Sequence, residues 1–474
     1  MRYYVAGISL VVLILLGGCT NTTAPSEQSW LAGDHHIHSR FSVGWDYEQD
    51  PPTPKLGGDA IYPLPMNAIM GRYHGLSWLV GTDHGGPNHS KVNLEWAYPA
   101  VQRSRLVVPE VVQFYGMELN TPGGDHSSLI VPHTHDEAQV LYQLESGYDK
   151  RDAHPYDQTR DTEAKMLEAL AIMRDLPSRP VVIAHHPSRS AKGYGEYGSH
   201  TPAEFRNWNN TAPEVAVGMA GSPGHQASTL NVFMPEGEGK GARGGYSGYP
   251  TLGGFDQMTA KVGGFWDSML GEGRRWWITA NSDSHVHYSE GGSDFWPGEY
   301  SKTYVYAEKN HDSILAGIRA GHVFVTTGDL ISELFVEVAQ GRSSASIGDE
   351  LRIDAGKEVT VNIRFKRPDA PNPSGTLPEV NRVDLILGEV RGKVADLTTN
   401  SNDTTRVIKR FTSADWQEKD GFLTVSHSLI LDNPAYVRVR GTNTDELEPA
   451  LDPHGENPWD DLWFYSNPVF IAVQ

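Results

Sequence analysis

The chain has 474 residues and a formal charge of −20, from 39 Lys and Arg against 59 Asp and Glu. That length holds more than one domain, and the acidic balance excludes nucleic acid as the main substrate while leaving small phosphate esters open, because a bound cation reverses the field locally. The single cysteine, Cys19, excludes an internal disulfide and a structural Cys-zinc site.

Arg2 is followed by an apolar run from Tyr4 to Leu16 and then by Leu16-Gly17-Gly18-Cys19. The run is short for a spanning helix, and a charged start, a brief apolar stretch and small residues describe a secretory signal. Leu-Gly-Gly-Cys looks like a bacterial lipoprotein box. Residues 1–19 are therefore expected to be a signal peptide whose Cys19 becomes lipidated and anchors the protein to a membrane of the cell envelope, on its periplasmic or extracellular face. Residues 20–28 are polar, with Pro25, and read as a tether.

The next stretch, Gly33-Asp34-His35-His36-Ile37-His38-Ser39, follows the apolar Trp30-Leu31. Alternate residues of a strand share a face, so His36 and His38 can reach one ion while His35 and Ile37 face the other way. Trp45 to Pro65, rich in Pro, Gly and Asp, reads as a long functional loop. A helix is expected over Asn67 to Tyr73. The apolar run Leu76 to Val80 leads to Thr82-Asp83-His84, where Asp83 is expected to orient His84. Val107, Val108, Val111 and Val112 lead to Gly116-Met117-Glu118, with His126 shortly beyond.

Helical spacing marks Asp136 to Tyr142 and Thr162 to Asp175. The second helix feeds Pro180-Val181-Val182-Ile183-Ala184-His185-His186-Pro187, an apolar strand ending in histidines. Val215 to Met219 reads as the next strand, and His225 beyond it as a loop histidine. Lys240 to Gly254 is glycine-rich without the spacing of a phosphate loop and reads as a mobile flap. A helix over Trp266 to Leu270 precedes the strand Trp276 to Ala280 and Ser282-Asp283-Ser284-His285, with His287 and Tyr288 near enough to line a pocket. Lys302 to Ala307, a helix over Asp312 to Arg319 closed by Gly321, and Val323 to Thr327 follow. In five places, then, a short β-like run delivers His, Asp or Glu at its carboxyl end, where parallel α/β folds place their chemistry.

From about Ile331 the texture changes to strands separated by Gly, Asn, Asp and Pro turns, at Leu334–Val338, Val359–Phe365, Arg382–Leu387, Leu423–Leu431, Ala435–Gly441 and Val469–Val473. An antiparallel β-sandwich is expected over residues 331–474. The acidic Thr442 to Asn467 loop carries Trp459 and Trp463 and could cover the first domain or bind a carbohydrate.

In this order, Asp34-His35-His36-Ile37-His38-Ser39, Thr82-Asp83-His84, Gly116-Met117-Glu118, His185-His186-Pro187 and Ser282-Asp283-Ser284-His285 resemble the signature of the PHP (polymerase and histidinol phosphatase) superfamily of metal-dependent phosphoesterases, over about residues 29–330. The resemblance implies a distorted (β/α)7, TIM-like barrel with two or three divalent metal ions at the carboxyl ends of its strands. It implies that His36, His38 and Asp283 hold the first metal, that Glu118 bridges two, that His126 and His186 complete the second, and that His84 and His285 hold a third. The family's usual aspartate after the first motif is replaced here by Val43. Asp46, three residues on, is the candidate substitute; otherwise the third site is altered or empty. The family's ligand directly precedes the proline, which favours His186, with His185 on the opposite side of the strand.

The chemistry expected of such a cage is hydrolysis of a small-molecule phosphate ester, monoester or diester, by a metal-bound hydroxide. Arg189, His185 and His287 are the candidates for protonating the leaving group or clamping the phosphate. Nitrogen and oxygen donors fit Zn, Mn or Fe. Two alternatives stand beside this reading: the same metal chemistry on a carboxylic ester or carbamate, and a glycan-binding lipoprotein with a vestigial barrel.

Overall fold

A computed structural model describes residues 27–225, 251–453 and 456–474. The signal segment with Cys19, most of the tether and most of the glycine-rich stretch lie outside the described residues. Among the described residues, no helix is long and apolar enough to cross a membrane.

Most expected elements form close to their expected bounds, for local reasons. The helix Glu163–Asp175 starts where the Thr162 side chain accepts from the Lys165 N–H, and Pro202–Thr211 starts on a reciprocal capping box between Thr201 and Glu204. His311–Ala320 is capped by Asn310 and ends at Gly321, whose φ of +76° suits a residue without a side chain. The strands Trp78–Gly81, Val181–Ala184, Trp277–Asn281 and Val323–Thr327 are buried along their whole length. Both of their faces are covered, which is why they read as unbroken apolar runs.

The architecture departs from the (β/α)7 barrel. The strands form one open, mixed sheet of 15 strands. Its hydrogen-bonded path runs Trp277–Asn281, Ala216–Pro223, Val181–Ala184, His126–Val131, Val112–Asn120, Trp78–Gly81, Ser29–Ile37, Ser301–Ala307 and Val323–Thr327. A barrel of that kind needs every neighbour parallel and the last strand laddered to the first. Here His126–Val131 runs antiparallel to both of its neighbours, and Ser301–Ala307 runs antiparallel to Ser29–Ile37. Among the described residues, no ladder closes the path. The segment after Trp277–Asn281, the first strand of the path, instead touches the internal strand Ser29–Ile37 through the isolated bridge Ile37–Ser284 and the 2.9 Å hydrogen bond from His38 N–H to the Ser284 carbonyl.

The C-terminal strands continue the sheet of the first region. The path continues without a break from Val323–Thr327 into Trp463–Ser466, Ala435–Thr442, Arg382–Glu389 and Arg406–Thr412. A second, five-stranded antiparallel sheet includes Glu333–Gln340, Glu358–Lys366 and Phe422–Ile430. Its inward residues, such as Val336, Val361 and Ile363, share one apolar core with Phe324, Val383, Val437 and Phe464 of the large sheet. One layer of the expected sandwich is therefore an extension of the sheet that carries the histidines.

A buried ion pair locks the two parts together. Arg438 donates from Nε (2.9 Å) and Nη2 (2.7 Å) to the Asp267 carboxylate, which also accepts from the Tyr436 hydroxyl at 2.9 Å. Both charged side chains are fully buried.

Candidate metal centre

Asp34 sets the frame of the site. Its carboxylate accepts from the His36 N–H at 3.0 Å and from the Ser282 N–H at 3.1 Å, tying the first histidine strand to the segment that delivers Asp283. Burial pushes the Asp34 carboxyl up to about 6. His35 points to the other face, between the Ser128 and Thr279 hydroxyls at 2.8 Å each, and burial holds it down at about 3. Gly33, just before, lies against the Trp78 indole, where a Cβ would come within 1.9 Å. Only glycine lets the strand sit this close.

His36 and His38 converge as strand alternation requires. Their Nε2 atoms are 2.9 Å apart. Asp283 Oδ1 lies 3.0 Å from the first and 3.2 Å from the second. The remaining nitrogen of His38 meets the Ser42 hydroxyl at 2.8 Å, and Ser42 in turn donates to Asp83. Asp83 also accepts from the Ser39 N–H at 2.6 Å and the Ser39 hydroxyl at 2.7 Å. It therefore positions the His38 turn rather than His84.

Glu118 is the hub. Its carboxylate oxygens lie 3.3 Å from His36, 3.4 Å from His38, 2.8 Å from His126, 3.0 Å from His185 and 3.3 Å from His186. Burial alone would raise its pKa, but His126 and His36 outweigh burial and hold it well below the usual carboxylate range. Burial works the other way on the imidazoles. It lowers His38 to about 3 and His186 to about 4, the latter with help from Arg189, and it lowers His126. His36 is the exception: Asp283 and Glu118 overcome its burial and hold it at about 9.

His185 does not face away, as strand alternation predicts. It stacks on His36 with ring centroids 3.4 Å apart, and its other nitrogen meets the Ser128 hydroxyl. The alternation fails because His186 has a φ of +24°. Asp283 (+49°) and His225 (+51°) share this sparsely populated left-handed region. Three strained non-glycine residues at one place are a mark of a functional site.

An outer group lies beside the hub. His84 Nε2 and His285 Nε2 lie 3.0 Å and 3.3 Å from Asp59 Oδ2, and His285 stacks on His38 at 3.9 Å. Burial opposes the ionisation of Asp59, but His285 and His84 hold its carboxyl far below the usual range. Asp46 is not brought to this group. It sits on the short hairpin Gly44–Asp46/Thr53–Lys55 and pairs with Lys55 at 3.4 Å. Thirteen residues further along the same loop, Asp59 occupies the place expected of Asp46. His225 approaches from the opposite side, with Nε2 2.6 Å from Asp283 Oδ2 and Nδ1 bonded to Asp294. Burial opposes its proton, but these two carboxylates hold it at about 10.

Of the candidates for proton transfer, Arg189 reaches the pocket, paired with Asp125 and 3.5 Å from His126 Nδ1. His287 turns away. Its Nε2 meets Glu299 at 2.9 Å and its ring stacks on Trp296. The pocket over the centre has a volume of about 380 Å³ and is rimmed by Asp59, Arg189, His225, Gly292 and Ser293.

These side chains form groups able to hold metal ions: His36, His38 and Asp283; Glu118, His126 and His186; His36, Glu118 and His185; His38, His84 and His285; and His225, Asp283 and His285. The donor set fits. Buried imidazole nitrogens at 2.9 Å from each other and near 3 Å from carboxylates place several lone pairs on one volume, which is costly without a cation among them. His36 Nδ1, moreover, is buried without a hydrogen-bond partner.

No family model matches the chain, and no curated protein matches it. Among solved structures, a cellulose-active LPMO in complex with copper aligns at 14% identity over 26% of this chain and 52% of that one, with a TM-score of 0.15. The chain thus spans about half the length of that structure, and so weak a likeness says nothing about its fold or chemistry.

Proposed function

We propose that the protein is a metal-dependent hydrolase of ester bonds, of the PHP type, acting on small phosphate esters with two or three divalent ions of zinc, manganese or iron. The observation that carries this reading is the convergence of five imidazoles on the Glu118 carboxylate within 3.4 Å, next to Asp283. Inner ions would be held by His36, His38 and Asp283 and by His126 and His186, with Glu118 shared. An outer ion would be held by His84, His285 and Asp59. When bound, such ions acidify water and neutralise charge on substrate oxygens.

The chain's own residues supply position. Ser42 and Asp83 fix the His38 ring, and Asp34 fixes the Asp283 segment to the first strand. His225 and Asp294 clamp the outer oxygen of Asp283. Arg189, aimed by Asp125, is placed at the rim to contact substrate oxygens.

One observation favours a second reading, a carboxylic ester or carbamate as substrate. Among the described residues lining the pocket, Arg189 is the one Lys or Arg, and it is already matched by Asp125, while Asp59, Glu118, Asp283 and Asp294 line the same pocket. A neutral substrate needs no further cationic clamp.

The deciding experiment loads the purified protein with Mn or Zn and assays p-nitrophenyl phosphate, bis-p-nitrophenyl phosphate and p-nitrophenyl acetate. Turnover of either phosphate ester, lost on Glu118→Gln, supports the first reading. Turnover of the acetate alone replaces it with the second. Bound metal with no turnover of any of the three rejects both.

A further inference from the structure

A second cleft, of about 800 Å³, opens between the end of the Leu64–Tyr73 helix, the Ser301–Ala307 strand and a proline-rich segment at 368–373. It shares the 284–300 segment with the metal centre but faces away from it. Lys302 and Tyr304 are two apart on their strand and both line this cleft, whereas Thr303 between them bonds to the Ala280 carbonyl on the other side.

The walls are rigid and aromatic. Trp296 is held between Tyr62, at 4.3 Å, and His287, at 5.2 Å, and Tyr304 stacks on Phe324 at 4.6 Å. The polar groups of the cleft are incompletely used. Glu299 spends Oε2 on His287 and on the Trp296 N–H, at 2.9 and 2.8 Å. Among the described residues, its Oε1, the Trp296 indole N–H and the Tyr304 hydroxyl have no protein partner. His74 Nε2 is buried with none. These side chains are all lining residues, and Trp296, Glu299, Lys302 and Tyr304 are each less than a tenth exposed. His74 Nε2 is the buried one among these, and a buried polar group left unmet is costly; together with the solvent-reachable Glu299 Oε1, Trp296 indole N–H and Tyr304 hydroxyl around the same open volume, it points to a ligand or ordered water that meets them.

The chemistry of the ligand follows by exclusion. Lys302 is neutralised by Asp329 at 2.5 Å, and Glu299 and Asp369 leave the cleft negative, which disfavours phosphates and carboxylates. None of the side-chain groups able to hold a metal among the described residues lies here. An apolar guest would leave the donors and acceptors unmet. Flat aromatic walls with alternating donors and acceptors suit a ring that has C–H faces and hydroxyl edges.

We infer that this cleft binds a neutral saccharide, with Tyr304 against the sugar ring and Glu299, His74 and the Trp296 indole N–H bonding its hydroxyls. The site is independent of the reaction at the metal centre and would hold the protein on a glycan-bearing surface or substrate.

Saturation-transfer NMR followed by calorimetry tests this on the whole protein, with glucose, galactose, N-acetylglucosamine, cellobiose, chitobiose and choline as probes. At least one sugar is expected to bind with a Kd of roughly 1 mM. Tyr304→Phe and Glu299→Gln should each weaken it about tenfold, the loss of one hydrogen bond. Trp296→Ala should abolish it, and metal content and thermal unfolding of Tyr304→Phe should match wild type. Silence across all the sugars overturns the inference. So does binding of choline alone, or sugar binding that is unchanged in Tyr304→Phe and Glu299→Gln.

Discussion

Replacing Asp267 by Asn removes the charge that neutralises Arg438 while keeping the shape of the site. Arg438 is fully buried and directs Nε and Nη2 at Asp267 at 2.9 and 2.7 Å, so the variant leaves a guanidinium without a counter-charge in the interior. Breaking one side of such a pair costs about 3–5 kcal/mol. The Trp266 ring, 4.6 Å from the guanidinium, remains a cation–π partner in both forms, and the neutral amide introduced by Asp267→Asn can still accept one hydrogen bond, which puts the expected loss at the lower end, about 3 kcal/mol. The assay is urea unfolding of metal-loaded protein followed by tryptophan fluorescence. The double variant Asp267→Asn with Arg438→Met should recover most of the loss, because no uncompensated charge remains. A cost below about 1 kcal/mol for Asp267→Asn, or no recovery in the double variant, would refute the claim that this pair welds the C-terminal strands to the body that carries the histidines.

Three further outcomes follow from the centre itself. Asp59→Ala is expected to remove the most weakly held metal equivalent in a chelator titration while leaving the inner ions, whereas Asp46→Ala leaves the titration unchanged; equal effects would contradict the placement of Asp59 between His84 and His285. In the metal-free protein His36 keeps its proton up to about 9, above its ordinary 6.5, so that proton stabilises the apo fold below 6.5 and its contribution is lost as pH rises through about 9. A metal must displace it, so apparent affinity should climb with pH between about 7 and 9, with proton release visible in calorimetry across buffers of different ionisation enthalpy; a flat profile contradicts the reading. Gly33→Ala drives a methyl into Trp78 and should cost about 1–3 kcal/mol of stability and loosen metal binding, both measurable against wild type by unfolding and chelator competition.

The residues of the centre were far more legible in the sequence than the fold around it. His36, His38, Glu118 and Asp283 stand at or near the ends of short apolar strands, and a strand end is a local signal. The structure brings these four together with His84, His126, His186 and His285. Asp59, His225 and Asp294 carry no such signal: each is a polar residue in a loop or turn, placed by contacts that span long stretches of chain. Alternation alone turns His185 away from the centre because it presumes regular backbone, and His186 at φ +24° breaks that regularity. The barrel expectation fails for a related reason. An apolar run such as Val181–Ala184 shows that both faces are covered but not which way its neighbour runs, and its partner His126–Val131 proves antiparallel. The continuation of the sheet through Trp463–Ser466 depends on pairing with Val323–Thr327, more than a hundred residues earlier, which no local pattern encodes.

The most direct test is the metal content of the purified protein, by inductively coupled plasma mass spectrometry, for wild type and for His36→Ala with Asp283→Asn. The account predicts at least two equivalents of a divalent transition metal per chain in the wild type and a loss of at least one in the double variant, with the fold retained by circular dichroism. A wild-type protein that stays metal-free after incubation with Zn, Mn and Fe, or a double variant that binds as much metal as the wild type, would contradict it.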